Sequence, residues 1–476
     1  MIEAELKFRI AAAMGGHTPT AGQQRAIDTL VSFLFDRDRQ AVMVLRGSAG
    51  TGKTTLAAAI VKALTALRQK LVLMAPTGRA AKVFALYAGQ MAYTIHRRIY
   101  RQHTAGDLSA FNLNANLHHD TLFVVDEASM IAHGRQNDGF GSGDLLDDLV
   151  NYVYSGDGCR MLLIGDTAQL PPVGESEAPA LQGGVLQGYG LTVHEYDLDE
   201  VLRQSQGSGI LSNATMIREY DLDLHNGMAP AIRIHGFDDI HVVNGDELIE
   251  QLATSYSRVG VDETIVVTRS NKRANIYNLG IRRTVLDRDE ELSRGDQLMI
   301  VKNYYGLTPG PSSPSFLANG DRCVVQRFRR VEELYGFRFA EVTLVFPDYD
   351  DNELTTKVML DTLTAEAPAL TREQQELLYN KVMDDYADLS LKADRLKALK
   401  TDTYYNALQV KYGYAVTCHK AQGGQWAHVY IDQGYMTDDM LTPDYLHWLY
   451  TALTRATEQV YLVNWPQKQV KEAVSK

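Results

Sequence analysis

Apolar positions along the chain follow two alternating rhythms. Residues 24–35 (QRAIDTLVSFLF) carry apolar side chains at helical spacing, and AVMVL at 41–45 is the continuous apolar run of a buried strand. A glycine-rich turn and the helical stretch TTLAAAIVKALTALRQ (54–69) follow. LVLMA (71–75), LFVV (122–125) and MLLIG (161–165) predict further buried strands, with RAAKVFALYA (79–88) as a helix between the first two. Strands buried on both faces and separated by helices predict α/β architecture, a parallel sheet with helices on both sides.

A second α/β region is expected from about residue 195. Its strands are placed at IVVT (265–268), AVTCH (415–419), HVYI (428–431) and VYLV (460–463). Residues 291–362 change character, with short segments of partly alternating polarity between turn signals, which predicts a small antiparallel barrel inserted in the second lobe. Residues 97–120 are polar and rich in Asn and His, predicting a hairpin or small insertion, and 370–400 reads as an exposed, charged helical pair. The expected domains are therefore 1–96 with 121–190, an insertion at 97–120, then 191–290 with 403–476 around an insertion at 291–402.

At 476 residues the chain is too long for one core, which agrees with this division. No apolar run approaches the roughly 18 residues of a membrane span, and the N-terminal stretch lacks a signal peptide's apolar core. Cys159, Cys323 and Cys418 are too scattered for a disulfide framework or a zinc ribbon, so a reducing cytoplasmic setting is expected. The net charge of −12 argues against a static nucleic-acid coat, yet an acidic body can carry a local basic channel.

Chemistry enters at the glycine-rich turn. Gly47, Ser48, Ala49, Gly50, Thr51, Gly52, Lys53 and Thr54 fit G-x-x-x-x-G-K-[ST] in full, with Thr55 next, after a predicted strand and opening a predicted helix. The glycines let backbone N–H groups wrap phosphates, Lys53 sets a charge on the β/γ oxygens, and Thr54 can join a Mg2+ shell. Asp126 and Glu127 end the LFVV strand. The aspartate suits Mg2+ and the glutamate suits polarising an attacking water, which favours hydrolysis over transfer to a second substrate. Arg203 and Arg455 are candidates for a cation brought to the γ-phosphate by lobe closure, although singly each reads more readily as a surface ion-pair arginine.

In order, these pieces resemble the superfamily 1 helicases of the 5′→3′ branch, RecD-like and Dda-like and related to the Pif family, over nearly the whole chain. Thr20-Ala-Gly-Gln23 resembles the motif whose glutamine reads adenine, and residues 47–54 resemble motif I. Ala75-Pro-Thr-Gly-Arg-Ala-Ala-Lys82 resembles motif Ia, with Ala92-Tyr-Thr-Ile-His96 after it, and Asp126-Glu-Ala-Ser129 motif II. Gly165-Asp-Thr-Ala-Gln-Leu-Pro-Pro-Val-Gly174 is similar to motif III and Leu198-Asp-Glu-Val-Leu-Arg-Gln204 to motif IV. Thr417-Cys-His-Lys-Ala-Gln-Gly423 is similar to motif V and Tyr450-Thr-Ala-Leu-Thr-Arg455 to motif VI.

The resemblance implies two RecA-like P-loop NTPase domains in tandem, a hairpin insertion in the first and an SH3-like β-barrel in the second. It implies an ATP- and Mg2+-dependent DNA helicase, a monomer-capable motor moving 5′→3′ on single-stranded DNA and opening duplex with a 5′ tail, in replication, recombination or repair. It casts Gln169 as γ-phosphate sensor, Arg203 and Arg455 as the finger arginines, and Pro76, Thr77, Thr94, His96, Thr417, His419 and Lys420 as DNA contacts. Gln425 stands where many relatives carry an acid facing the ribose, and Phe111 is a candidate tip residue of the duplex-splitting hairpin or, equally, an aromatic packed beneath it. Two other readings stay open: the motor subunit of a recombination nuclease complex, or an ATP-dependent RNA or DNA remodelling protein, since backbone contacts alone do not separate the two nucleic acids.

Overall fold

Strand Ala41–Gly47 runs into helix Lys53–Ala66 through a loop whose Gly50 and Gly52 take φ of 80° and 77°, left-handed values open to glycine. The computed structural model describes residues 2–102, 111–134, 141–200, 207–224, 228–304 and 317–471. Six parallel strands form the first sheet, in the order Ala92–Thr94, Lys70–Ala75, Thr121–Val125, Arg160–Gly165, Ala41–Gly47, Thr192–Leu198. Pleating sends alternate residues to opposite faces. Val42 and Val44 pack with Phe123, Leu146 and Leu163, while Met43 and Leu45 pack with Leu30, Ile60 and Leu64.

The last of these strands corrects the expected boundary. Residues 192–198 pair with 41–47 throughout, so the first sheet extends past residue 190 and the second α/β region begins later than 195. Thr192, Glu195 and Asp197 face solvent at the sheet edge, and that polarity hides the strand from a search for apolar runs.

The second sheet is also parallel, ordered Ile240–Val243, Ala456–Val463, Trp426–Asp432, Thr264–Thr268, Ala415–Thr417. Inserted in it is a closed five-stranded barrel, Gln297–Ile300, Arg322–Leu334, Phe337–Phe346, Asn352–Met359 and Leu408–Tyr412. The fifth strand lies beyond residue 402, where the insertion was expected to end. It pairs Tyr412 with Leu298 and Leu408 with Val358, closing the barrel after a helical excursion. That excursion is the charged pair Arg372–Asp385 and Lys392–Thr401, whose Leu378, Val382 and Leu399 pack on Phe337, Phe339 and Met359 of the barrel.

Within 97–120, Tyr100–Gln102 pairs antiparallel with Phe111–Leu113, and residues 103–110 between them lie outside the described residues. Phe111 is not a tip residue: it is 3% exposed and packs in the first domain's core. Among the described residues no helix is long and apolar enough to cross a membrane.

The barrel also touches the first domain. Lys82, on helix Gly78–Ala88, donates to the Pro347 carbonyl at 2.6 Å, and Tyr349 donates to Asp321 at 2.7 Å directly over Gly78. A Cβ on Gly78 would stand 2.9 Å from the Tyr349 hydroxyl and 3.0 Å from an Asp321 oxygen. At the barrel's other end, buried Arg282 meets buried Asp296 at 2.9 Å, and Arg288 and Tyr414 bond the same carboxylate at 2.7 and 2.8 Å.

Two stability effects follow from these buried acids. Asp296→Ala leaves Arg282 buried without its partner and is expected to lower unfolding free energy by about 3–5 kcal/mol, read by chemical denaturation. Burial pushes the Asp321 carboxyl up to about 7 from its ordinary 3.8. Between those values the folded chain holds a proton that the unfolded chain has lost, so stability falls as pH rises through that window and levels above it. Asp321→Asn is expected to flatten this slope, measured as urea midpoints at about pH 5 and about pH 8.

Candidate nucleotide cleft and nucleic-acid channel

Ligands in open parallel sheets collect at the carboxyl ends of the strands. The P-loop, Asp126-Glu127 and Asp166-Thr-Ala-Gln169 each follow one strand of the first sheet, so the topology gathers them on one edge. Opposite stands the second sheet. The cleft between the two is ≈ 450 Å³, lined on one side by residues of the P-loop, Glu127, Asp166 and Gln169, and on the other by Ser208–Leu211, Gln425, Thr454 and Arg455.

Lys53, Thr54, Glu127, Gln169, Gln425 and Arg455 thus meet in one cleft, as the motif order implied. Glu127 sits in the left-handed region at φ 53°, and its Oε2 is buried without a hydrogen-bond partner. The Oε1 of Gln169 is likewise buried and unpartnered. Arg455, 3% exposed, spends its N–H groups on the carbonyls of Thr451 and Gly424 and on the Thr454 hydroxyl, and no carboxylate pairs with it among the described residues. An unpaired buried cation beside unpartnered polar atoms is the environment a phosphate group and its water would complete.

Asp126 lies behind this wall. Burial, and then the charge of Glu127, push its carboxyl up to about 6, while the Tyr87 hydroxyl donates to it. Gln23 closes a capping box with Thr20, and its Nε2 lies 3.5 Å from the Thr51 carbonyl, so it braces the P-loop from beneath and is not part of the cleft lining. Thr55 is exposed in the first turn of the helix that follows the loop. Arg203 lies outside the described residues.

Two residues that carried no expectation of their own join the cleft. The Tyr450 hydroxyl accepts the Ala49 N–H at 2.8 Å and donates to Asp166 at 2.6 Å, pinning the P-loop to the second domain. Arg218, at the end of helix Gly209–Arg218, donates to the Ser48 hydroxyl. Tyr450 stands inside motif VI and was legible as a position but not as a contact. Arg218 lies in a helix without a motif, and no sequence signal marks it.

A second cavity of ≈ 710 Å³ lies on the other side of motif V. Thr77, Thr417, His419 and Lys420 line it together with residues of the barrel, whereas Pro76, Thr94 and His96 do not. Thr94 is 6% exposed and its hydroxyl caps a helix by accepting from Arg97 N–H. Burial pushes the His96 imidazole down to about 4, so it is neutral at pH 7. Burial also pushes the Lys420 amine down to about 8, with Lys411 adding to the effect. Gly423, at φ 70°, brings motif V within touching distance of the first domain: a Cβ there would lie 3.0 Å from the Thr77 hydroxyl.

Motif III joins the two sites. Leu170 N–H donates to Thr451 Oγ1 at 2.7 Å, and its carbonyl accepts from Gln422 at 2.5 Å, so Gln169 is followed by a residue tied to both motif VI and motif V.

Comparison with known proteins places these residues in a wider setting. An AAA domain family matches residues 18–239 and a UvrD-like helicase C-terminal domain family matches 412–463. The chain is 22% identical to the uncharacterized protein R530 of Acanthamoeba polyphaga mimivirus, over 92% of this chain and 98% of that one. It is 23% identical to the ATP-dependent DNA helicase dda of Enterobacteria phage T4, over 69% and 71%. It is 33% identical to the ATP-dependent RecD2 DNA helicase of Deinococcus radiodurans, over 28% of this chain and 16% of that one. Among solved structures it is similar to a Pif1 helicase from Bacteroides in complex with ADP-AlF3 and ssDNA, at 14% identity and a TM-score of 0.46, covering 96% and 95%. The two family matches flank the barrel and contain, in order, the motifs from Gln23 to Arg455, and in them the chain is similar to superfamily 1 helicases of the RecD-like and Dda-like branch.

Proposed function

We propose that the protein is an ATP-dependent DNA helicase, a cytoplasmic and monomer-capable motor that moves 5′→3′ along single-stranded DNA and opens duplex with a 5′ tail. The observation that carries this reading is the position of motif V: Thr417, His419, Lys420, Gln422 and Gly424 line the channel, and Gln425, next in the chain, lines the nucleotide cleft. A change in cleft width is thereby a change in the channel wall.

In the cleft, Lys53 and the P-loop N–H groups hold the phosphates, and Glu127 orients and deprotonates the attacking water. Mg2+, held by Thr54 and Asp126, would supply charge neutralisation on the β/γ oxygens. Gln169 turns its unpartnered amide oxygen toward the reacting end, and Arg455 meets the charge that develops there. Arg203 is proposed as a second cation of the same kind. Gln23 reads adenine beneath the loop, and Gln425 faces the ribose. Closure draws Arg455 toward the P-loop about the Tyr450 contact, and release of product lets the lobes part. In the channel Thr77, Thr417, His419 and Lys420 give the strand short contacts that break readily, with Pro76, Thr94 and His96 continuing the track. Alternating grip in the closed and open states gives net motion.

Unwinding of matched 5′-tailed and 3′-tailed duplexes tests this directly. Activity is expected only on the 5′-tailed duplex with ATP, and activity confined to the 3′-tailed one would reverse the direction. Lys53→Ala is expected to lower DNA-stimulated ATPase at least about 100-fold while single-strand binding persists. Arg218→Ala removes a charged contact to the P-loop and is expected to raise KM for ATP about tenfold, the ~1.4 kcal/mol of one charge-assisted hydrogen bond. An unchanged KM in steady-state kinetics would leave Arg218 a surface residue.

A further inference from the structure

The wall between the two cavities contains an arrangement that the nucleotide chemistry does not use. Trp426, 2% exposed, is flanked by two guanidinium groups: Arg79 of the first domain lies 4.5 Å from its ring centre and Arg322 of the barrel 5.7 Å. The three side chains come from three domains. Arg322 is 7% exposed, and among the described residues its guanidinium reaches only the Gln297 amide oxygen, at 3.5 Å. Arg79 donates through Nη2 to the Gln425 carbonyl, and its Nε is buried without a partner. Among the described residues neither arginine has a carboxylate within ion-pair distance.

Asp348, Asp262 and Glu263 attract both guanidinium groups at longer range but none bonds either of them among the described residues, so an anion arriving from outside would find both without a direct charged partner. Burial lowers both guanidinium groups from their ordinary range, and the proximity of Arg79 lowers Arg322 further. Both line the ≈ 710 Å³ channel cavity beside Thr77, Thr417 and Lys420. The packing leaves no room for a side chain at position 424: a Cβ there would lie 2.4 Å from the Trp426 ring and 3.2 Å from Arg79. The same short segment is gripped from the other side, since Arg455 donates to the Gly424 carbonyl at 3.3 Å and accepts the Trp426 N–H at 3.0 Å.

We propose that Arg79 and Arg322 form a binding site for a phosphodiester of the single strand, and that Arg79 relays its occupancy to the nucleotide cleft. The relay rests on the helicase reading above. A phosphate in the channel competes with the Gln425 carbonyl for Arg79, freeing residues 424–426 to shift. Those residues seat Arg455, so strand binding resets the cation that serves hydrolysis.

The test uses the full chain and oligothymidylate of about ten nucleotides, with affinity measured against salt. Arg322→Gln and Arg79→Gln are each expected to weaken binding about tenfold at low salt and to reduce the log–log salt slope by about 0.7, the loss of one phosphate contact. Arg322→Gln is also expected to melt no lower than wild type without DNA, because an unpaired buried charge is gone. A large fall in melting temperature would mark structural damage, and the slope of Arg79→Gln then decides. A wild-type slope in Arg79→Gln, or in a folded Arg322→Gln, overturns the site. For the relay, Arg79→Gln is expected to show a several-fold lower maximal ATPase at saturating oligonucleotide, and a wild-type maximum overturns it. Wild-type protein that binds the oligonucleotide without any ATPase stimulation overturns the helicase reading and the relay together, while the salt slopes still judge the site.

Discussion

The hydroxyl of Tyr450 is the joint on which the arrangement turns. It takes a P-loop N–H and gives its own proton to Asp166, so one side chain of the second domain holds two phosphate-facing segments of the first. One residue on, Thr451 accepts from Leu170, and four residues further Arg455 faces the cleft. Helix Pro443–Leu453 thus contacts the opposite wall through Tyr450 and Thr451, and its movement carries Arg455, two residues past its end. The nucleotide therefore acts on a preassembled interface, and its binding energy goes into changing the spacing of that interface.

Charge distribution separates the two sites. The groups that line the two cavities include buried Arg455 and Arg322 and half-buried Arg79, and among the described residues none of the three has a bonded carboxylate partner. Buried ion pairs such as Arg282–Asp296 serve stability instead, with the acid accepting five hydrogen bonds from four residues. The contrast between saturated and unsaturated buried charge identifies function where net charge does not.

Much of this was legible in the sequence for a physical reason. Phosphate binding demands small residues with left-handed backbone beside a lysine at fixed spacing, so the residues from Gly47 to Thr54 announce themselves, and buried parallel strands leave continuous apolar runs. What escaped was decided by long-range packing. Strand Thr192–Leu198 is half exposed at a sheet edge, and strand Leu408–Tyr412 is five residues separated from its barrel by a helical pair. Phe111 reads as a hairpin aromatic whether it points to solvent or to the core. Arg218 acquires its contact only when two domains meet. Residues 103–110 of the expected hairpin insertion lie outside the described residues.

The way the barrel is attached has a mechanical meaning. Its first and last strands are hydrogen-bonded neighbours, Leu298 beside Tyr412, so the host domain accommodates more than a hundred residues at the closure cost of a short loop. A module grafted by adjacent ends can be exchanged or enlarged without disturbing the sheet that carries it. The same attachment makes the barrel a lever arm. Three residues after Tyr412, the chain enters strand Ala415–Thr417 and then motif V, so torque applied at the barrel by a strand under load is delivered first to the residues between the two cavities.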